Sequence, residues 1–169
     1  MKKKTKVIIG IIIAILFVVV FLVIARSNPS PQEIASKGLG IDLSSGIEIS
    51  AEDSHGGFHG DGRTFIVLQF PDNSLLNAIR KDVKWKEFPL DKTTQALVYG
   101  LEDIARQTGP FLSNDDGEAL LPKIQNGYYI LFDRQPETDT DILDRYSFNF
   151  TIGLYDSDTN IMYFCELDT

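Results

Sequence analysis

The chain of 169 residues holds two histidines, and both fall in one glycine-rich stretch. The segment from Asp53 to Arg63 reads DSHGGFHGDGR, which spaces the ionisable groups as D-x-H-x3-H-x-D. Imidazole with carboxylate suits zinc or a related divalent metal, so His55, His59 and Asp61, with Asp53 behind them, are the candidate ligands. The same groups could do acid–base work in a metal-dependent or acid–base hydrolase. The local backbone argues the other way. A His-x3-His pair converges most readily from a helix, and Gly56-Gly57 disfavours helix. Glycines at positive φ can instead turn backbone N–H groups toward an anion, with Arg63 alongside. The plainest reading is a hairpin loop whose glycines serve its turns and whose histidines are solvated or packed.

Other chemistry-bearing types lack their context. Asp156-Ser157-Asp158-Thr159-Asn160 begins like a calcium loop, but Ile161 stands where glycine is needed and Leu167 where the bidentate glutamate belongs. A turn between two strands explains it better. Cys165, the single cysteine, shares strand parity with Ile161, Tyr163 and Leu167, the pattern of a buried small hydrophobe rather than a nucleophile. No G-x-S-x-G occurs. Trp85 and Phe88, beside Lys84, Lys86 and Glu87, read as core or helix-entry packing.

The elements that must position these residues follow from period and punctuation. Pro31 after Ser30, with Glu33 two residues on, has the form of a capping box, and Gly38 is expected to stop that helix. Ile47–Asp53 reads as a strand with Ile47, Ile49 and Ala51 on one face. Thr64–Phe70 is apolar on both faces, which predicts a central strand. Asn73 can cap a short helix carrying Leu75, Leu76 and Ile79. Trp85–Pro89 is extended, and Asp91 caps a longer helix over Lys92–Gln107 with Leu97, Leu101, Ile104 and Ala105 in its stripe. Residues 111–127 read as loop. Three strands then form a meander: Tyr128–Arg134, Tyr146–Tyr155 and Ile161–Leu167. In the second, Tyr146, Phe148, Phe150, Ile152 and Leu154 face one way, opposite Ser147, Asn149, Thr151 and Gly153. The order β-β-α-α-β-β-β predicts an α+β domain: a mainly antiparallel five-stranded sheet with two main helices on one face.

Ahead of this domain, Val7–Ala25 is nineteen residues without a charge or polar side chain. As a helix it reaches roughly 28 Å, close to a bilayer's hydrocarbon thickness. Lys2, Lys3, Lys4 and Lys6 precede it and only Arg26 follows, which sets the N-terminus in the cytoplasm. The run exceeds the usual length of a cleaved signal, and it shows no break before Ala25, so it reads as an uncleaved anchor. The expected organisation is a basic cytoplasmic tail (1–6), a single-pass transmembrane signal anchor (7–25), a tether (26–34) and an extracytoplasmic domain (35–169). Five of the sixteen basic residues lie in the first 26, which carry no acid. The remainder sets eleven bases against twenty-four acids, a formal charge of −13. Such a domain repels nucleic acid and anionic lipid head groups.

The segments HGGFHGDG, NGYYILFDR and FTIGLYDSDTN resemble stretches of small membrane-anchored or secreted proteins of Gram-positive bacteria whose activity is not assigned. The resemblance implies a bacterial cell-envelope location and carries over no functional residue. The expected function is a membrane-tethered extracytoplasmic domain that binds a protein or envelope component, with no resident cofactor. The alternatives are a hydrolase using the His55–Gly62 loop with a divalent metal, and an immunity or inhibitor protein at the envelope.

Overall fold

The computed structural model describes residues 9, 11–20, 29–56, 60–103, 106–135 and 140–169. The chain separates into two units, residues 1–30 and 31–169. In the first, residues 11–20 are helical and each of them is exposed. Among the described residues no helix is long and apolar enough to cross a membrane. The expected span over 7–25 is described only at Ile9 and at 11–20.

The second unit is α+β, built on one antiparallel sheet. Its elements are α1 (Pro31–Leu39), β1 (Ile47–Asp53), β2 (Gly62–Gln69), α2 (Ser74–Ile79), β3 (Lys86–Glu87), α3 (Lys92–Tyr99), β4 (Leu101–Asp103), β5 (Arg106–Thr108), β6 (Gly127–Asp133), a 3-10 turn (Ile142–Asp144), β7 (Asn149–Asp156) and β8 (Ile161–Asp168). The sheet has six strands, in the order β1-β2-β8-β7-β6-β3, rather than the five expected. The sixth is β3, which pairs Lys86 with Tyr129 and Glu87 with Tyr128 at one edge. Strands β4 and β5 form a separate hairpin.

That hairpin occupies ground expected to be helix. Asp91 caps α3 as anticipated, its carboxylate accepting from the Thr94 N–H at 2.8 Å. The helix nevertheless ends at Tyr99, because Gly100 adopts φ +77°, where the right-handed helix cannot continue. Leu97 is buried, Leu101 opens β4, and Ile104 and Ala105 lie outside the described residues. A comparable shift occurs in α1. It runs through Gly38 to Leu39 and is closed by Gly40 at φ +68°, whose N–H donates to the Ser36 carbonyl. Gly38 is a contact glycine. A Cβ there would lie 2.5 Å from Phe164 Cε2.

Both sheet faces are covered, not one. On the first, α1 and α2 bring Ala35, Leu39, Leu75 and Ile79 against Ile66, Leu68, Tyr155 and Phe164. On the second, Leu97 and Val98 of α3, with Leu112, Leu121 and Ile124, cover Phe65, Phe150, Ile152 and Leu154. The small residues of β7 opposite its large apolar face are therefore the seat of a helix. A Cβ on Gly153 would lie 2.8–3.0 Å from Leu39 and Trp85, and Thr151 is buried. Tyr146, expected to open the strand, is fully exposed ahead of it.

Strand β1 is an outer edge. Its register slips between Glu48 and Ser50. Ile47 pairs with Gln69 and Ala51 with Ile66, whose side chains alternate along β2, so the bulge puts Ile47 and Ala51 on opposite faces. Ile47 and Ile49 remain 61% and 55% exposed. The common face expected for them does not form.

Candidate functional site

The glycine-rich segment joins β1 to β2 and lies at one end of the sheet. Its position follows from two close approaches. The Ser54 N–H donates to the Arg63 carbonyl and the Arg63 N–H to Ser54 Oγ, both at 2.9 Å, which extends the hairpin past β1. A Cβ on Gly62 would collide with the His55 backbone, so the absence of a side chain lets the loop fold back there.

His55 is held from both sides. Its Nδ1 lies 2.7 Å from Asp53 Oδ1, and its Nε2 lies 3.1 Å from Asp168 Oδ2 at the end of β8. The His55 backbone N–H donates to the same Asp53 oxygen at 2.9 Å, and Thr64 Oγ1 stands 3.2 Å from Nδ1. The network continues through Asp168. Arg134 Nη2 donates to Asp168 Oδ1 at 2.7 Å, and its Nη1 pairs with Glu166 Oε1 at 2.9 Å. Asn149 adds an amide N–H to Asp168 Oδ1 at 3.0 Å and accepts from Gln135 Nε2 at 2.8 Å. The sheet register explains the gathering. Thr64 pairs with Glu166 and Glu166 with Thr151, while Gly62 pairs with Asp168 and Asp168 with Asn149. Two adjacent rungs thus place their polar side chains on one face.

The electrostatics match this arrangement. Partial burial pulls the His55 pKa down, but hydrogen bonds and charge from Asp53 and Asp168 outweigh it, so the net shift is upward. The Asp53 carboxyl is held below its ordinary value, first by the His55 backbone N–H and then by the imidazole. The result is a carboxylate–imidazole–carboxylate bridge from the end of β1, over β2, to the end of β8.

Of the remaining residues named from sequence, Asp61 and Arg63 do not join this bridge. His59, with Gly57 and Phe58, lies outside the described residues. Asp61 is exposed, and its backbone carbonyl accepts from the Gly56 N–H at 3.4 Å. Arg63 pairs with Leu167 on the alternate rung, and its Nη1 donates to the Ser113 carbonyl at 2.6 Å. Among the described residues, no group of three or more His, Cys, Asp or Glu is placed to hold a metal ion. Sequence reasoning found Asp53 and His55 but missed Thr64, Arg134, Asn149, Glu166 and Asp168. The available signal was the polar end of β8, where Glu166 and Asp168 share one parity; only the pairing of β8 with β2 converts that into proximity.

Cys165 is fully buried, and burial pushes its thiol pKa far up, as befits an inert core residue. The Asp156–Asn160 stretch is a turn, in which Asp156 accepts from the Asp158 N–H and the Thr159 hydroxyl. No protein-family model, curated protein or solved structure matches this chain.

Proposed function

We propose that this chain is a membrane-tethered extracytoplasmic domain that acts by binding a protein or envelope component, without catalysis. The observation that carries the tether is the uncharged run 7–25 with four lysines before it and one arginine after it. Residues 11–20 support it. They are helical and exposed, with Ile, Leu, Phe and Val on every side, a surface suited to lipid rather than water.

The non-catalytic reading rests on His55. A general base needs a free nitrogen facing a reacting group, and a metal ligand needs a nitrogen lone pair facing the ion. Both nitrogens of His55 instead face carboxylates, and each of those carboxylates has further donors. The cluster is chemically satisfied within itself, which is the state of a structural clamp. Binding then remains as the role of a tethered domain of formal charge −13.

Membrane extraction tests the tether. In an expressing bacterium, the protein should stay in the membrane fraction through an alkaline carbonate wash, and its intact mass should include residues 1–25. Release by carbonate, or a mature chain starting at or beyond Arg26, would overturn the anchor.

A further inference from the structure

On the sheet face opposite the His55 clamp, a cleft of about 640 Å³ opens between the first turn of α3, the base of the β4–β5 hairpin and the 3-10 turn. That volume lies within the range of small-ligand sites. Its floor is apolar and half-buried: Leu101, Phe111, Leu143 and Phe148. Phe111 and Phe148 are in contact, with ring centroids 4.6 Å apart. One wall is fixed by Arg145, whose guanidinium is locked onto Asp133 by two hydrogen bonds of 2.8 and 2.7 Å and onto the Thr140 carbonyl at 3.0 Å. Lys92 and Thr93, at the capped start of α3, form another part of the lining.

The rim carries charge of both signs. Lys92 stands exposed on the α3 side; Asp141 and Asp144 stand exposed on the side of the 3-10 turn. The Asp133 carboxylate already neutralises Arg145, so among the described residues of the cleft Lys92 is the cation with charge to offer. An anionic polymer meets Asp141 and Asp144, a polycation meets Lys92, and a neutral glycan makes hydrogen bonds but no ion pair with either sign. The complement is a chain that is apolar in the middle and oppositely charged on its two sides.

We infer that this cleft binds a short peptide segment, with an apolar side chain on the Phe111–Phe148 floor, a carboxylate facing Lys92 and a cationic group facing Asp141 and Asp144. The inference deepens the binding role proposed above and rests on it.

The test is calorimetric titration of the full chain in detergent micelles with three probes. They are the tripeptide lysyl-phenylalanyl-glutamate, its end-blocked glutaminyl-phenylalanyl-glutamine analogue, and the uncharged trimer of N-acetylglucosamine. The charged tripeptide should bind, and the blocked analogue should bind more weakly. Lys92→Glu and Asp144→Lys should each weaken the charged tripeptide by up to about fivefold, the scale of an exposed ion pair. Both positions are exposed, and circular dichroism checks that the fold is kept. Absence of saturable tripeptide binding, equal binding of the two peptides, indifference to both substitutions, or binding of the glycan alone would each overturn the inference. Failure here with the carbonate result intact overturns the peptide and leaves the tether standing; release from the membrane does the reverse.

Discussion

At the scale of single residues, His55 decides how the most chemically suggestive stretch of the chain is read. Its charged form is favoured in the folded state, so its contribution to stability is fully present below the unfolded value of about 6.5 and is lost as pH rises through the raised folded value. We predict that His55→Gln lowers stability by about 1 kcal/mol at pH 5.5 in urea unfolding, and that the gap narrows by pH 8.5. A gap that widens with pH would contradict the clamp. Asp91 shows the opposite sign. Burial raises its pKa, but the Thr94 N–H and Lys86 more than offset that and bring it down to about 2. Its stabilisation is present above the unfolded value of about 3.8 and is lost as pH falls through about 2. Asp91→Ala should cost about 1–2 kcal/mol at neutral pH, the usual loss of an N-cap, measured by the same unfolding experiment. The sequence made Asp91 legible because a cap acts on its own helix. It made only half of the clamp legible, because Asp168 lies 113 positions from His55. Spacing within the loop pointed toward His59, whereas the pairing of β2 with β8 supplied the second carboxylate.

Among the elements, helix α1 and strand β7 carry the lesson that small residues have two meanings. Alternation along β7 found its Phe150, Ile152 and Leu154 face, although the strand starts at Asn149 rather than Tyr146. The sequence set Ser147, Asn149, Thr151 and Gly153 on the other face with helices expected over one face only, yet α1 sits there with Gly38 against Phe164. This yields a prediction whose sign discriminates. In an ordinary helix interior Gly→Ala stabilises by about 0.5–1 kcal/mol. Gly38→Ala should instead destabilise by about 1–3 kcal/mol, since its Cβ would overlap a fully buried ring. Thermal or urea unfolding checks it, and a stabilised variant would mean that α1 does not seat on β8. Helix α3 failed in a different way. Its stripe continues in the sequence past Tyr99, but periodicity is blind to a left-handed turn, and Gly100 ends the helix there. In β1 the bulge at Ile49 defeated simple alternation. Together with Glu48, Glu52 and Asp53, it blunts an edge that would otherwise invite pairing with another copy.

For the whole molecule, composition and hydropathy say more than any local motif. Five basic residues near the N-terminus mask how acidic the rest is, and the uncharged run between them gives that asymmetry a physical meaning. The α+β class was readable from the order of apolar runs. The two-sided covering was not, because it depends on which small residues receive a helix. The site is a cluster of satisfied charges at one end of the sheet, and a mixed-charge cleft lies on the other face. The proposed role rests on the proposed tether rather than on either of them. Protease accessibility in right-side-out protoplasts tests this most directly. The account predicts that added trypsin degrades residues 31–169 while a tag placed before Lys2 survives until the membrane is permeabilised. Survival of the domain with digestion of the tag would contradict it.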